Sequence, residues 1–125
     1  MTRRSIDIEG FRHANPIPGA SRVGPLLASS VIAARDPGSD KVPEDPEAQI
    51  ANLFHHVGEM LRAAGADWRH VVKMSFYVPD IEMRKLINQP WLEHFPDEAA
   101  RPARHTQADP TLSAAACDFL AFVED

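Results

Sequence analysis

The sequence predicts one α+β domain spanning residues 1–125, with two helices packed on one face of a β-sheet. Two segments carry apolar residues at helical spacing, and several short segments are apolar and partly β-branched. These follow one another in the order β, β, α, β, α, β, β, with 11 prolines marking the joints between them. A chain of 125 residues is long enough to bury a core of its own without disulfide staples.

Each element has its own signal. Asn15-Pro16-Ile17-Pro18-Gly19 reads as an irregular turn, because the residue before a proline is pushed towards extended geometry. Pro25 to Ile32 is short and apolar and predicts a buried strand, and Asp36 to Pro46 predicts a long loop. The first helix starts with Asp45 as N-cap and Pro46 at the first helical position. Ile50, Leu53, Phe54, Val57, Met60, Leu61 and Ala64 form its apolar stripe, and Gly65 stops it. Val71 to Val78 predicts a strand buried mainly on one face. Asp80 is the expected cap of a second helix, Ile81 to about Phe95, in which Pro90 requires a kink or break. Two more strands are expected near Ala103 to Ala108 and Ala115 to Val123.

Composition narrows the partners. The formal net charge is −5, and the longest basic cluster is Arg3-Arg4. Nucleic acid and anionic membrane surfaces, which need clustered Lys and Arg, are therefore not expected partners. A single cysteine, Cys117, cannot form an intramolecular disulfide and fits a reducing, cytoplasmic setting. Met1 to Gly10 has no apolar run of a secretory signal, and no apolar stretch reaches the ~18 residues of a transmembrane helix. The six histidines give no metal-ligand spacing, with His55 and His56 diverging by about 100° on their helix. Neither a metal nor an organic cofactor is expected. Cys117, alternating with Phe119 on the last strand, reads as a small core residue.

The segment with the clearest chemistry is Arg101-Pro102-Ala103-Arg104-His105-Thr106. Proline fixes the backbone just before an arginine, and a rigidly held guanidinium can clamp a carboxylate by two parallel hydrogen bonds. An isolated arginine at a strand start is more commonly a solvated surface group. Strand alternation puts Arg104 and Thr106 on one face and His105 on the other. Ser29-Ser30 inside an apolar strand marks a bulge or a pocket lining, since buried hydroxyls need partners.

Taken together, Ala48-Gln49, Ala63-Ala64-Gly65, Val72-Lys73, Val78-Pro79-Asp80, Asn88 and Pro102-Ala103-Arg104 resemble the RidA/YjgF family of reactive-intermediate deaminases, over about Asn15 to Val123. The resemblance implies a chorismate-mutase-like α+β fold, a mixed sheet with two helices on one face. It further implies a barrel-like homotrimer with ligand sites in the clefts between subunits. The implied activity is hydrolysis of enamine and imine acids to 2-keto acids and ammonia, as in a 2-iminobutanoate/2-iminopropanoate deaminase. Arg104 falls on the family's carboxylate-binding arginine, Asn88 on its pocket asparagine, and Ser29 on the serine beside a ligand-binding amide. Ser30 stands where glycine is usual, and Thr106 where cysteine is frequent. Ile17 takes the place of a tyrosine. The water-positioning glutamate of the last strand aligns with Leu120 or Ala121. The nearest acids, Asp118 and Glu124, stand several ångströms off that place at a strand rise of ~3.3 Å per residue, so water delivery is expected from the neutral groups Asn88, Ser29 or Thr106.

Two functions follow as expectations. One is a deaminase with atypical water activation. The other is a non-catalytic trimeric protein that binds small 2-keto or related carboxylic acids. Arg104 serves either; the apolar residues at the glutamate's place favour the second.

Overall fold

The computed structural model describes residues 1–124. The chain runs through β1 (Arg4–Ile6), β2 (Ala20–Val23), β3 (Leu26–Ser29), β4 (Ile32–Ala33), α1 (Pro46–Ala63), β5 (Val71–Val78), α2 (Arg84–His94), β6 (Ala103–Ala108) and β7 (Ala116–Phe122). The strands form one mixed sheet in the order β1-β2-β3-β7-β5-β6, with β4 pairing β7 beyond the end of β3. β5 and β6 are parallel and joined through α2; every other pairing is antiparallel. Among the described residues no helix is long and apolar enough to cross a membrane.

The expected Pro25–Ile32 strand is divided. β2 and β3 form a hairpin whose two-residue turn begins at Gly24, at φ +56°, a conformation that glycine adopts without steric cost. At Ser30 the chain leaves the ladder. Its N–H donates to the Gly19 carbonyl at 2.9 Å and its hydroxyl to the Pro18 carbonyl at 2.8 Å. Pairing with β7 resumes at β4, as Ile32 with Cys117.

α1 starts at Pro46 as expected, yet Asp45 makes no side-chain cap hydrogen bond. The other end follows its signal closely. Gly65 has φ +77°, its N–H donates to Arg62, and Ala66 N–H reaches back to Leu61. Arg4 and Arg22 both donate to the Ala64 carbonyl, where cations favour the negative end of the helix. The second helical segment is shorter than expected. Asp80 caps a 3-10 turn, Ile81–Met83, by accepting the Glu82 N–H at 3.0 Å, and α2 follows with Pro90 inside it.

Alternation along the strands builds the core on the helix-covered face. Leu27, Met74, Phe76, Phe119 and Ala121 point there and meet Ile50, Leu53, Phe54, Val57, Met60 and Leu61 of α1. Burying each larger side chain contributes roughly 1.5–3 kcal/mol. Buried Gln49 ties elements together, accepting the Ala115 N–H at 3.0 Å and donating to the Pro43 carbonyl at 2.9 Å.

His56 is fully buried on α1, with Nε2 at 2.7 Å from the Arg35 carbonyl. A carbonyl only accepts, so Nε2 carries the proton and Nδ1 is a buried lone pair without a partner. Burial holds its pKa below the ordinary histidine value, against the smaller upward pull of that hydrogen bond. The unfolded chain therefore takes up a proton first as pH falls. Stability is at its full value above the unfolded pKa of about 6.5 and is lost below it. The urea midpoint is expected to fall between about pH 7 and pH 5, and His56→Gln, which keeps the donor but cannot titrate, to flatten that slope. An unchanged slope in the variant would assign the effect to other groups.

Candidate functional site

Arg104 stands on β6, an edge strand of the sheet, opposite Met74 of β5, and Thr106 stands opposite Phe76. Both neighbours are completely buried, so Arg104 and Thr106 face the helix side, while exposed His105 faces away. The Arg104 guanidinium lies 5.2 Å from the centroid of the Trp91 ring, and Nη2 makes a long contact of 3.4 Å to the Arg84 carbonyl. Arg84, Asn88 and Trp91 follow at i, i+4 and i+7 along one side of α2. Asn88 is thus bracketed by the two residues Arg104 touches, and its exposed side chain extends the same surface.

Among the described residues no carboxylate neutralises this arginine. The ion pairs among the described residues join Glu59 with Arg62, Asp67 with Arg69, and Glu82 with Lys85. Partial burial lowers the Arg104 pKa from its ordinary value, a sign that the cation has lost hydration without gaining a counter-charge. Arginine stays protonated regardless. The arrangement is a partly desolvated, ring-supported cation at a sheet edge, suited to a planar anion.

Ile17, Ser29 and Ser30 form a second group. Ile17 is 46% exposed and helps line a depression of about 350 Å³ with Asp7, Arg12 and His13. Ser29 Oγ accepts the Phe119 N–H at 2.8 Å and so replaces a ladder acceptor where β3 parts from β7. Ser30 has both donors engaged with Pro18 and Gly19, as described above. β3 and β6 are three strand steps apart, about 14 Å. One chain therefore does not bring Ile17, Ser29 and Ser30 together with Arg104, Asn88 and Thr106.

A third group was not assembled by sequence reasoning, which met Asp118 only as an acid near the place of the family's glutamate. Tyr77 Oη donates to Asp118 Oδ2 at 2.9 Å, and Asp118 lies beside Ser75 across the β5–β7 pair. This polar cluster occupies the sheet face turned away from the helices. Leu120, 38% exposed, shares that face, whereas Ala121 is fully buried on the other. The outer face of β7 does carry a carboxylate, two residues before Leu120. The period-two alternation of β5, which puts Ser75 and Tyr77 on one face, was the available signal. Cys117 is buried with its thiol pKa pushed up by desolvation, and inert. Among the described residues no group of three His, Cys, Asp or Glu side chains is placed to hold a metal.

Comparison with known proteins gives consistent matches. The family model described as Endoribonuclease L-PSP matches residues 13–116. A RutC family protein of Aquifex aeolicus is 30% identical over 91 residues, 73% of each chain. The chloroplastic Reactive Intermediate Deaminase A of Arabidopsis thaliana is 33% identical over 92 residues, 73% of this chain and 48% of that one. The match thus spans about half the length of the Arabidopsis relative. Among solved structures, RidA of the Antarctic bacterium Psychrobacter sp. superposes with a TM-score of 0.86 at 18% identity, covering 96% of this chain and 99% of that one. The Escherichia coli YjgF gene product does so at 0.83 and 22% identity, over 95% and 98%. At these identities the structural likeness speaks for the fold.

Proposed function

From the premise that this chain belongs to the RidA/YjgF family, we propose that it is a hydrolytic deaminase of enamine and imine acids, yielding 2-keto acids and ammonia. The observation that carries this reading is Arg104, a partly buried guanidinium against the Trp91 ring with no acid partner among the described residues. A 2-imino acid presents a carboxylate next to a polarised C=N carbon. Hydrolysis requires that carboxylate fixed, the nitrogen protonated and a water delivered to the carbon. Arg104 fixes the carboxylate, with Asn88 beside it on α2 and Thr106 two residues along β6. No metal, organic cofactor or covalent nucleophile is required.

The separation of Ser29, Ser30 and Ile17 from Arg104 supports a site shared between copies of the chain. Arg104 lies at the open edge of the sheet, and the outer face exposes Leu26, Val72, Leu120 and Phe122. Such an apolar face favours association. The proposed assembly is a homotrimer with the ligand in the clefts between subunits. A solution mass near three times 13.8 kDa is expected by light scattering, and a monomer would exclude the shared site.

Ammonia release from 2-iminopropanoate generated in situ tests the activity, with Arg104→Ala as the control. Keto-acid binding without ammonia release would favour the non-catalytic binding protein, the reading suggested by Leu120 on the outer face of β7. A nuclease reading has little support, since the chain is acidic and the described residues offer no histidine pair in a basic cleft.

A further inference from the structure

We propose that Trp91 is the positioning residue of the carboxylate clamp: its indole face sets the plane of the Arg104 guanidinium, which meets the ligand already ordered. The inference rests on Arg104 holding the carboxylate, as in the deaminase reading. Trp91 is buried and lies one turn past Asn88 on α2. The Arg104 guanidinium carbon stands 5.2 Å from the indole centroid, inside the ~6 Å reach of a cation on a ring face. Nη2 meets the Arg84 carbonyl at 3.4 Å. β6 brings the arginine to this place, with Arg104 in register with Met74 of the parallel strand β5.

The ring is itself held in place. Phe95 packs edge-on against Trp91, with 4.7 Å between centroids and 64° between planes, and meets Trp68 edge-on at 5.7 Å and 74°. The Phe95 carbonyl accepts the Arg101 Nε–H at 2.9 Å, which ties the end of α2 to the chain entering β6. Arg104 therefore lies between two anchored points, the start of α2 through Arg84 and its end through Phe95 and Arg101. A long, rotamer-rich side chain ordinarily loses affinity when a ligand has to order it. Here the fold orders it before the ligand arrives.

A ring suits this position better than an acid. A carboxylate partner would occupy the forked N–H edge that the ligand needs. The indole takes a face of the guanidinium instead, and its negative quadrupole offsets part of the hydration that the partly buried cation has lost. One N–H reaches the Arg84 carbonyl, and among the described residues the remaining donors have no acceptor. An aliphatic side chain at position 91 would fill core volume yet leave the guanidinium plane free to turn. That difference separates a positioning role from a packing role.

The test compares wild type with Trp91→Leu, Trp91→Phe and Trp91→Tyr. It measures the unfolding temperature, the pyruvate Kd by calorimetry, and kcat and KM for ammonia release, all well below the lowest unfolding temperature. Trp91→Leu is expected to raise Kd and KM together by about three- to tenfold, the effect of ordering one long side chain on binding. kcat should stay within about twofold, because the carboxylate is held alike in the ground and transition states. Trp91→Phe and Trp91→Tyr keep a ring face and should recover most of the affinity. In the Arg104→Lys background, where the cation has no plane to fix, Trp91→Leu should change Kd by less than about twofold. Should Trp91→Leu fail to fold, a trifluorinated tryptophan at position 91 keeps the shape and weakens the ring face; Kd is then expected to rise about two- to fivefold. Wild-type Kd and KM in Trp91→Leu, or an unchanged Kd in the fluorinated protein, would overturn the role of Trp91. So would equal losses in the leucine, phenylalanine and tyrosine variants, or an undiminished loss in the Arg104→Lys background, since damage to packing would then be responsible. A wild type that binds pyruvate but releases no ammonia would overturn the deaminase reading, with the Kd series still deciding Trp91.

Discussion

Arg104→Ala is expected to abolish the rise in melting temperature that pyruvate or 2-oxobutanoate produces in the wild-type protein. A ligand that binds only the folded state stabilises it by mass action, by about 2.7 kcal/mol at a hundred times its Kd. Each hydrogen bond to a charged group contributes about 1.5–3 kcal/mol, so losing a bidentate pair should weaken binding at least about a hundredfold. The fold should survive, because Arg104 lies on an edge strand and its own contacts are a ring face and a long bond to the Arg84 carbonyl. Arg104→Lys should recover only part of the shift: an ammonium keeps the charge but not the fork geometry. An undiminished shift in the alanine variant would place the ligand elsewhere.

The second large effect distinguishes two neighbouring positions on β7. Ala121→Glu is expected to destabilise the chain by about 3–5 kcal/mol, the loss typical of an uncompensated buried charge. Ala121 is fully buried, faces α1 and pairs with Leu27 and Val71. The larger side chain would add overpacking to the cost of the charge. Leu120→Glu points to the outer face and should leave the unfolding midpoint of the isolated chain nearly unchanged. It would also put a second carboxylate on that face, two residues from Asp118. Equal urea midpoints for the two variants would contradict the alternation of β7.

The sequence by itself determined the elements whose signals are local. Pro46 and Gly65 bound α1 because a missing N–H and a left-handed backbone act on their immediate neighbours. Val71–Val78 is readable from its apolar run, buried mainly on one face, and Arg104 from the proline ahead of it. What the tertiary structure alone decided is whatever depends on pairing between distant strands. The insertion of β7 between β3 and β5 puts Asp118 within reach of Tyr77, 41 residues away, and separates Ser29 from Arg104 by two strands. Ser29-Ser30 marks a break in the strand locally, but that Pro18 and Gly19 accept the Ser30 donors depends on contacts across the fold. Strand alternation says which residues share a face. Only register across the sheet says which faces meet, because the hydrogen bonds that set register form between segments far apart in the chain.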